Sequence, residues 1–247
     1  MSLSAYTAEE VAAAAAVLAR QGIDGLELNL SCPNIEGDGH LFAANPRAAA
    51  AVTAACRAAV SLPLWCKLSP VAAAPADIAK ACEDAGADAL IAGNTLPALA
   101  LGENGAPLLG AGAGGLSGPP RKPVALRHVS EVSRASTLPV IGCGGVATLK
   151  DALDHFNVGA KAVAVGSATL SRPTAMVRLI DALADWTLAK QTSGAVVQEG
   201  RARLGTPPET TPTTPLTKTP KTPTTPLPTM ASTESDHPVA RARKALA

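Results

Sequence analysis

Polar side chains stand in this sequence where apolar runs end. "LELNLSCPN" sets Asn29, Ser31, Cys32 and Asn34 at the end of one such run, "LWCKLSP" places Lys67 inside a second, and "LIAGNTL" closes a third with Asn94 and Thr95. An asparagine amide both donates and accepts, so several of them can grip a planar ring with alternating C=O and N–H edges without adding charge. A pyrimidine-like ring suits that set. A lysine in a buried strand needs an anionic partner, because an unpaired ammonium there is costly. Either an electron-rich cofactor or an internal carboxylate would meet the need. Cys32 lies in a polar loop before Pro33, where a thiol can exchange a proton with a bound substrate. Cys56, Cys66 and Cys82 read instead as small buried hydrophobes.

Later in the chain the run ends turn glycine-rich. "GAGGLSGPP", "VIGCGGVAT" and "AVGSATL" supply Gly114, Gly115, Ser117, Gly118, Gly144, Gly145, Gly166 and Ser167. Loops without side chains let backbone N–H groups approach phosphate oxygens, and the last two of these precede helices, as in the phosphate site built by the closing loops of a TIM barrel.

The elements that must carry these groups follow from local signals. Thr7 and Glu10 have the spacing of a capping box, in which each side chain satisfies a free backbone N–H at a helix start. A helix over 8–21 is predicted, stopped by Gly22, with a strand over 25–30. Gly86 and Gly159 repeat the device, a glycine after a helical run and an apolar strand a few residues on. Runs at 64–68 and 138–141 bring the strands to five, and helices are predicted over 46–60, 77–85, 122–136, 149–156 and 173–190. Alternating helix and strand means a parallel α/β fold, whose functional groups gather at the carboxyl ends of the strands.

The chain of 247 residues, 47% of them hydrophobic, has the size of one α/β barrel. Its formal net charge of +1 provides no basic field for nucleic acid, so a small-molecule substrate is expected. Five cysteines without C-x-x-C spacing suggest neither a disulfide framework nor a zinc site and fit a reducing cytoplasm. The short run from Val11 to Leu18 reads as a helix of the folded protein, and no segment is long enough to cross a membrane. After Gly205 the composition turns to "TPPETTPTTPLTKTPKTPTTPLPT", which cannot bury a core. The expected division is a barrel portion over 1–204 and a Pro/Thr-rich disordered tail over 205–247.

Taken in order, "NLSCPN", "KLSP", "NTL", "GGLSGPPRKPVALR", "GCGGV" and "VGSA" resemble class 1 dihydroorotate dehydrogenases, over about residues 22–189. "KLSP" and the "GLSGP" segment are more similar to the NAD-linked 1B branch than to the fumarate-reducing one. The resemblance implies an FMN enzyme that oxidises dihydroorotate to orotate in pyrimidine synthesis. It implies Cys32 as the general base at substrate C5, with hydride leaving C6 for the flavin. Asn29, Asn34, Asn94 and Thr95 would hold the substrate, and Asn29 would also lie near the flavin. Lys67 would face the flavin N1/O2 edge, Gly93 and Gly118 would touch the flavin, and Gly144, Gly145, Gly166 and Ser167 would bind its phosphate. Expected partners are an iron–sulfur/FAD electron-transfer subunit and a second copy of the chain. In that family "NLSCPN" follows the fourth barrel strand, so a partial TIM (β/α)8 barrel is expected, strands 4 to 8 with their helices, without the first three βα units. Two other readings fit the same residues. One is an inactive remnant or interaction module of this fold, told apart by whether flavin binds; the other is a dihydropyrimidine dehydrogenase-like flavoenzyme, told apart by whether orotate binds.

Overall fold

The computed structural model describes residues 1–4, 6–30, 41–72 and 74–192. Ser31, Cys32 and Asn34 lie outside the described residues, as does everything after Thr192, including the expected tail.

Six strands form one parallel sheet in the order β1 (Ser2–Leu3), β2 (Leu26–Asn29), β3 (Leu64–Leu68), β4 (Ala89–Ala92), β7 (Val140–Cys143) and β8 (Ala162–Ala164). Between β4 and β7 the chain makes a separate antiparallel hairpin, β5 (Leu96–Ala98) with β6 (Gly114–Leu116). Apart from that hairpin, each strand is laid beside the previous one in the same direction. A doubly wound sheet would reverse its order at a switch point; this progression is the wall of a (β/α)8 barrel. Among the described residues the wall is open, with β1 and β8 at its edges. Five strands were expected and the sheet has six: β1, two residues long, is too short to give a periodic signal, and it exists because Ser2 and Leu3 pair with Glu27 and Leu28.

The helices are α1 (Ala8–Ala19), α2 (Leu41–Ala44), α3 (Pro46–Ala59), α4 (Pro75–Asp84), α5 (Lys122–Ala135), α6 (Leu149–Asn157), α7 (Ser167–Ser171) and α8 (Ala175–Thr192), with a 3-10 turn at Pro119–Arg121 leading into α5. The capping box forms as the spacing predicts, Thr7 Oγ1 accepting from the Glu10 amide and Glu10 accepting from the Thr7 amide. Gly22 takes φ +73°, beyond the reach of most L side chains.

Strand alternation divides the sheet into two faces. Leu26, Leu28, Leu64, Cys66, Leu68 and Leu90 point outward into one core with Val11, Val52, Cys56, Ile78, Cys82 and Val129 from the helices. Each fully buried leucine there contributes roughly 2 kcal/mol. Glu27, Asn29, Trp65 and Lys67 alternate with them along β2 and β3 and are less buried, so the inner face carries the polar groups. Arg57 closes the amino-terminal end, donating to Asp88 and to the carbonyls of Val60 and Leu62, while the Asp88 carboxylate also accepts from the Leu64 amide.

His128 on α5 is 3% exposed, and among the described residues neither ring nitrogen has a hydrogen-bond partner. Burial, helped by the Arg121 and Arg127 charges and opposed by Glu131, pushes its pKa down to about 4. The folded value lies below the unfolded one, so between about pH 6.5 and pH 4 the unfolded chain takes up a proton that the native chain refuses. Stability is therefore lost as pH falls through that window, by up to about 3 kcal/mol. His128→Leu is expected to flatten the urea midpoint between pH 6.5 and 4. Wild type and variant falling in parallel would show that this histidine does not carry the acid sensitivity.

Candidate functional site

The carboxyl ends of β3, β4, β7 and β8 and the loop after β6 surround one cavity of about 400 Å³, within the size range of small-molecule sites. Residues scattered along the sequence meet in its wall: Lys67, Asn94, Thr95, Gly118, Gly144, Gly145, Gly166 and Ser167 all line it. Asn29 stands beside it on β2, where its Oδ1 accepts from Asn94 Nδ2 at 3.3 Å. The Asn94 carbonyl oxygen accepts from the Thr95 amide at 2.8 Å, so the Asn94 amide plane is held from both ends. Gly93 is not among the lining residues and lies behind the wall against the Cys143 carbonyl.

Lys67 reaches the cavity from the middle of β3, and the internal carboxylate weighed as its partner is present: Nζ lies 3.5 Å from Glu27 Oε1, each side chain about one-fifth exposed. Glu27 also accepts from Ser2 Oγ at 2.7 Å. The contact is long for a charge-assisted bond, and an ammonium carries three donors. Lys67 thus has both a structural partner and capacity toward the cavity.

The glycines have two explanations. A Cβ on Gly144 would sit 1.7 Å from Arg121 Nη1 and one on Gly145 would sit 2.6 Å from Lys122 Cβ; these positions are small because their own neighbours fill the space. At Gly166 a Cβ would meet nothing within 4 Å, so the room there is open. The loop carrying Gly144 and Gly145 is braced from behind. Lys122 donates to Asp151 and Asp154 at 2.6 Å each, tying the start of α5 to α6, and His155 Nε2 lies 3.1 Å from the Gly144 carbonyl. Burial would raise the Asp151 carboxyl, but hydrogen bonds from Lys122, Thr148 and the Ala147 and Thr148 amides outweigh it and hold it at about 2.

Among the lining residues that the sequence did not single out, two bear on the chemistry. Cys143, between the glycines of "GCGG", faces the cavity with its thiol pushed up by burial, an effect that the Lys67 and Arg121 charges partly offset. Arg121 is 2% exposed and donates from Nη1 to the Cys143 carbonyl at 2.7 Å. Its neighbours Gly93 and Gly144 leave the space that the guanidinium fills. Val146, Ala164 and Leu170 add apolar wall. The arrangement can hold a flat, electron-rich ligand with polar edges, clasped by amides and facing cations on one side.

Comparison with known proteins agrees with this fold. Residues 1–186 match the family model described as dihydroorotate dehydrogenase. The chain is 45% identical over 183 residues to the "Dihydroorotate dehydrogenase B (NAD(+)), catalytic subunit" of Trichlorobacter lovleyi, covering 73% of this chain and 60% of that relative. The protein of the same name from Bacillus mycoides is 44% identical over 174 residues, 70% of this chain and 56% of the relative. The chain therefore spans three-fifths or less of their length. The crystal structure of DHODH from Eimeria tenella in complex with ferulenol superposes with a TM-score of 0.65 at 23% identity, covering 80% of this chain and 58% of that one, a likeness of fold.

Proposed function

Because the chain belongs to the dihydroorotate dehydrogenase family, we propose that its cavity is the FMN and substrate site of an enzyme oxidising dihydroorotate to orotate, of the NAD-linked kind. One observation carries the reading: Lys67, Asn94, Thr95, Gly118, the Gly144–Gly145 pair and Gly166–Ser167, spread over much of the sequence, converge on a single cavity.

The residues present fit FMN. Lys67 and Arg121 lie on the side toward Cys143, where a ring that gains negative charge would sit, and the uncrowded backbone at Gly166 leaves room for a phosphate beside Ser167. Val146, Ala164 and Leu170 offer apolar surface to a flat ring. When bound, FMN supplies a two-electron acceptor for the hydride leaving substrate C6. Cys32 takes the C5 proton as its thiolate, leaving the C5–C6 double bond of orotate. Asn94, braced by Asn29 and the Thr95 amide, presents amide edges to the pyrimidine together with Asn34 and Thr95. Lys67 holds its charge where electron density arrives. An iron–sulfur/FAD subunit, as expected for relatives named catalytic subunits, takes the electrons onward in this reading, in the cytoplasm and with the chain paired in a dimer.

The open edges of the sheet favour a second reading, in which the cavity holds FMN only when further strands close the wall. The visible spectrum of the purified chain after incubation with FMN, followed by anaerobic dihydroorotate, separates the two. A bound flavin spectrum that bleaches is the expected result. A colourless protein that retains no FMN would rule out an autonomous site, and bleaching by dihydrouracil but not dihydroorotate would move the substrate to an uncarboxylated pyrimidine.

A further inference from the structure

Three cations gather at the carboxyl ends of the strands, and two of them have carboxylates: Lys67 faces Glu27, and Lys122 bridges Asp151 and Asp154. The third, Arg121, is different. The residue is 2% exposed, and among the described residues its one hydrogen bond runs from Nη1 to the Cys143 carbonyl while Nε and Nη2 are buried without a partner. Among the described residues no carboxylate pairs with it. Burial alone acts against its charge, drawing its pKa down, yet an arginine remains ionised in proteins.

A buried unpaired charge is costly, and an apolar side chain of similar volume in such a place is often neutral or stabilising. The fold nevertheless makes room for it. A Cβ on Gly93 would lie 2.8 Å from Nη2 and one on Gly144 would lie 1.7 Å from Nη1, so two strand ends are pared to glycine around the guanidinium. Arg121 also lines the cavity, on the side where Cys143 feels both its charge and that of Lys67. Nε and Nη2 are sealed off from the cavity surface and Nη1 is engaged with the Cys143 carbonyl, so it acts there through its field. In a poorly screened site such a field is far stronger than in water.

We propose that Arg121 is the charge-setting residue of this cavity, its uncompensated positive charge favouring the two-electron reduced, anionic state of the flavin ring over the oxidised state. The inference rests on the FMN reading above. It assigns to Arg121 an influence on redox balance that Lys67, facing the Glu27 carboxylate, supplies only in part.

The test compares wild type, Arg121→Met and Arg121→Lys, each loaded with FMN and separately with riboflavin, by dye-equilibrated reductive titration. Arg121→Met is expected to weaken binding of the reduced flavin relative to the oxidised by about tenfold, a fall of about 30 mV for a two-electron couple. Arg121→Lys should keep most of the wild-type potential, and riboflavin should show the same shift because it carries the same ring. The ligand-free Arg121→Met chain should melt no lower than wild type, since an unpaired buried charge has been removed. If it does not fold, Arg121→Gln, neutral and still able to donate to the Cys143 carbonyl, makes the same comparison. A ratio of reduced to oxidised flavin affinity that changes less than twofold while FMN stays bound overturns the assignment of Arg121 and leaves the FMN reading standing. A shift seen with FMN but not riboflavin moves the charge to the phosphate and overturns it too. A wild-type chain that takes up no flavin defeats the FMN reading itself, and this proposal with it.

Discussion

Cys32→Ala is expected to slow dihydroorotate-dependent bleaching of bound FMN by two to four orders of magnitude, the usual worth of a positioned general base, while leaving FMN affinity within about twofold. β2 ends at Asn29, and Leu30 is buried with its amide on the Lys67 carbonyl, so Cys32 follows three residues beyond the carboxyl end of a strand whose neighbours line the cavity. Cys56, Cys66 and Cys82 are buried in the outer core, on the other side of the sheet. Cys143 alone among the described cysteines touches the cavity, but burial raises its thiol, so it holds its proton at neutral pH and is a poor base. Cys143→Ala is therefore the control, expected to change the bleaching rate severalfold at most. Cys32→Ser should retain a slow rate that climbs with pH, because a hydroxyl gives up its proton less readily than a thiol. Single-turnover bleaching beside an FMN titration separates chemistry from binding. Equal rates in wild type and Cys32→Ala would remove Cys32 from the mechanism, and a large loss in Cys143→Ala would transfer the role.

What the sequence disclosed and what it hid divide along the range of the interactions. Thr7 with Glu10, and the helix stops at Gly22, Gly86 and Gly159, all with positive φ, are set by a few neighbouring residues, so spacing alone exposes them. The residues of the cavity wall were legible as polar or glycine-rich breaks at strand ends, because in a parallel sheet those ends share one side. Arg121 was not. It follows two prolines and precedes a lysine, a context that reads as a solvated basic loop, and only the meeting of β4 with β7 buries it. The hairpin of β5 and β6 escaped for a similar reason. Its strands are three residues each and half glycine or proline, without alternation, and Gly115 lies so close to Thr95 that a Cβ would come within 2.4 Å of Oγ1. The Lys67–Glu27 pair bridges neighbouring strands, and register across a sheet is a property that no single run of sequence states.

Gly93→Ala is expected to cost about 3–5 kcal/mol of stability, a large share of a total margin of the order of 5–15 kcal/mol. The resemblance assigns Gly93 to the flavin, but the packing gives it a prior duty. With φ +143°, Gly93 holds a backbone shape that L side chains rarely adopt, and an added Cβ would lie 2.0 Å from the Cys143 carbonyl oxygen and 3.0 Å from its carbon. Those are backbone atoms in the adjacent strand, which cannot swing aside as a side chain does, so β4 and β7 must part. The same carbonyl accepts from Arg121 Nη1 at 2.7 Å. Its displacement would break that hydrogen bond and spread the cavity wall, so whatever fraction stays folded should also bind FMN weakly. Gly105→Ala is the matched control. It too has positive φ, +75°, but a Cβ there would meet nothing within 4 Å, so it isolates the conformational cost, about 1 kcal/mol. Urea unfolding followed by circular dichroism gives both numbers. A Gly93→Ala midpoint no lower than that of Gly105→Ala would mean that the strand ends are not in the close contact described, and the glycine would then owe its place to the ligand after all.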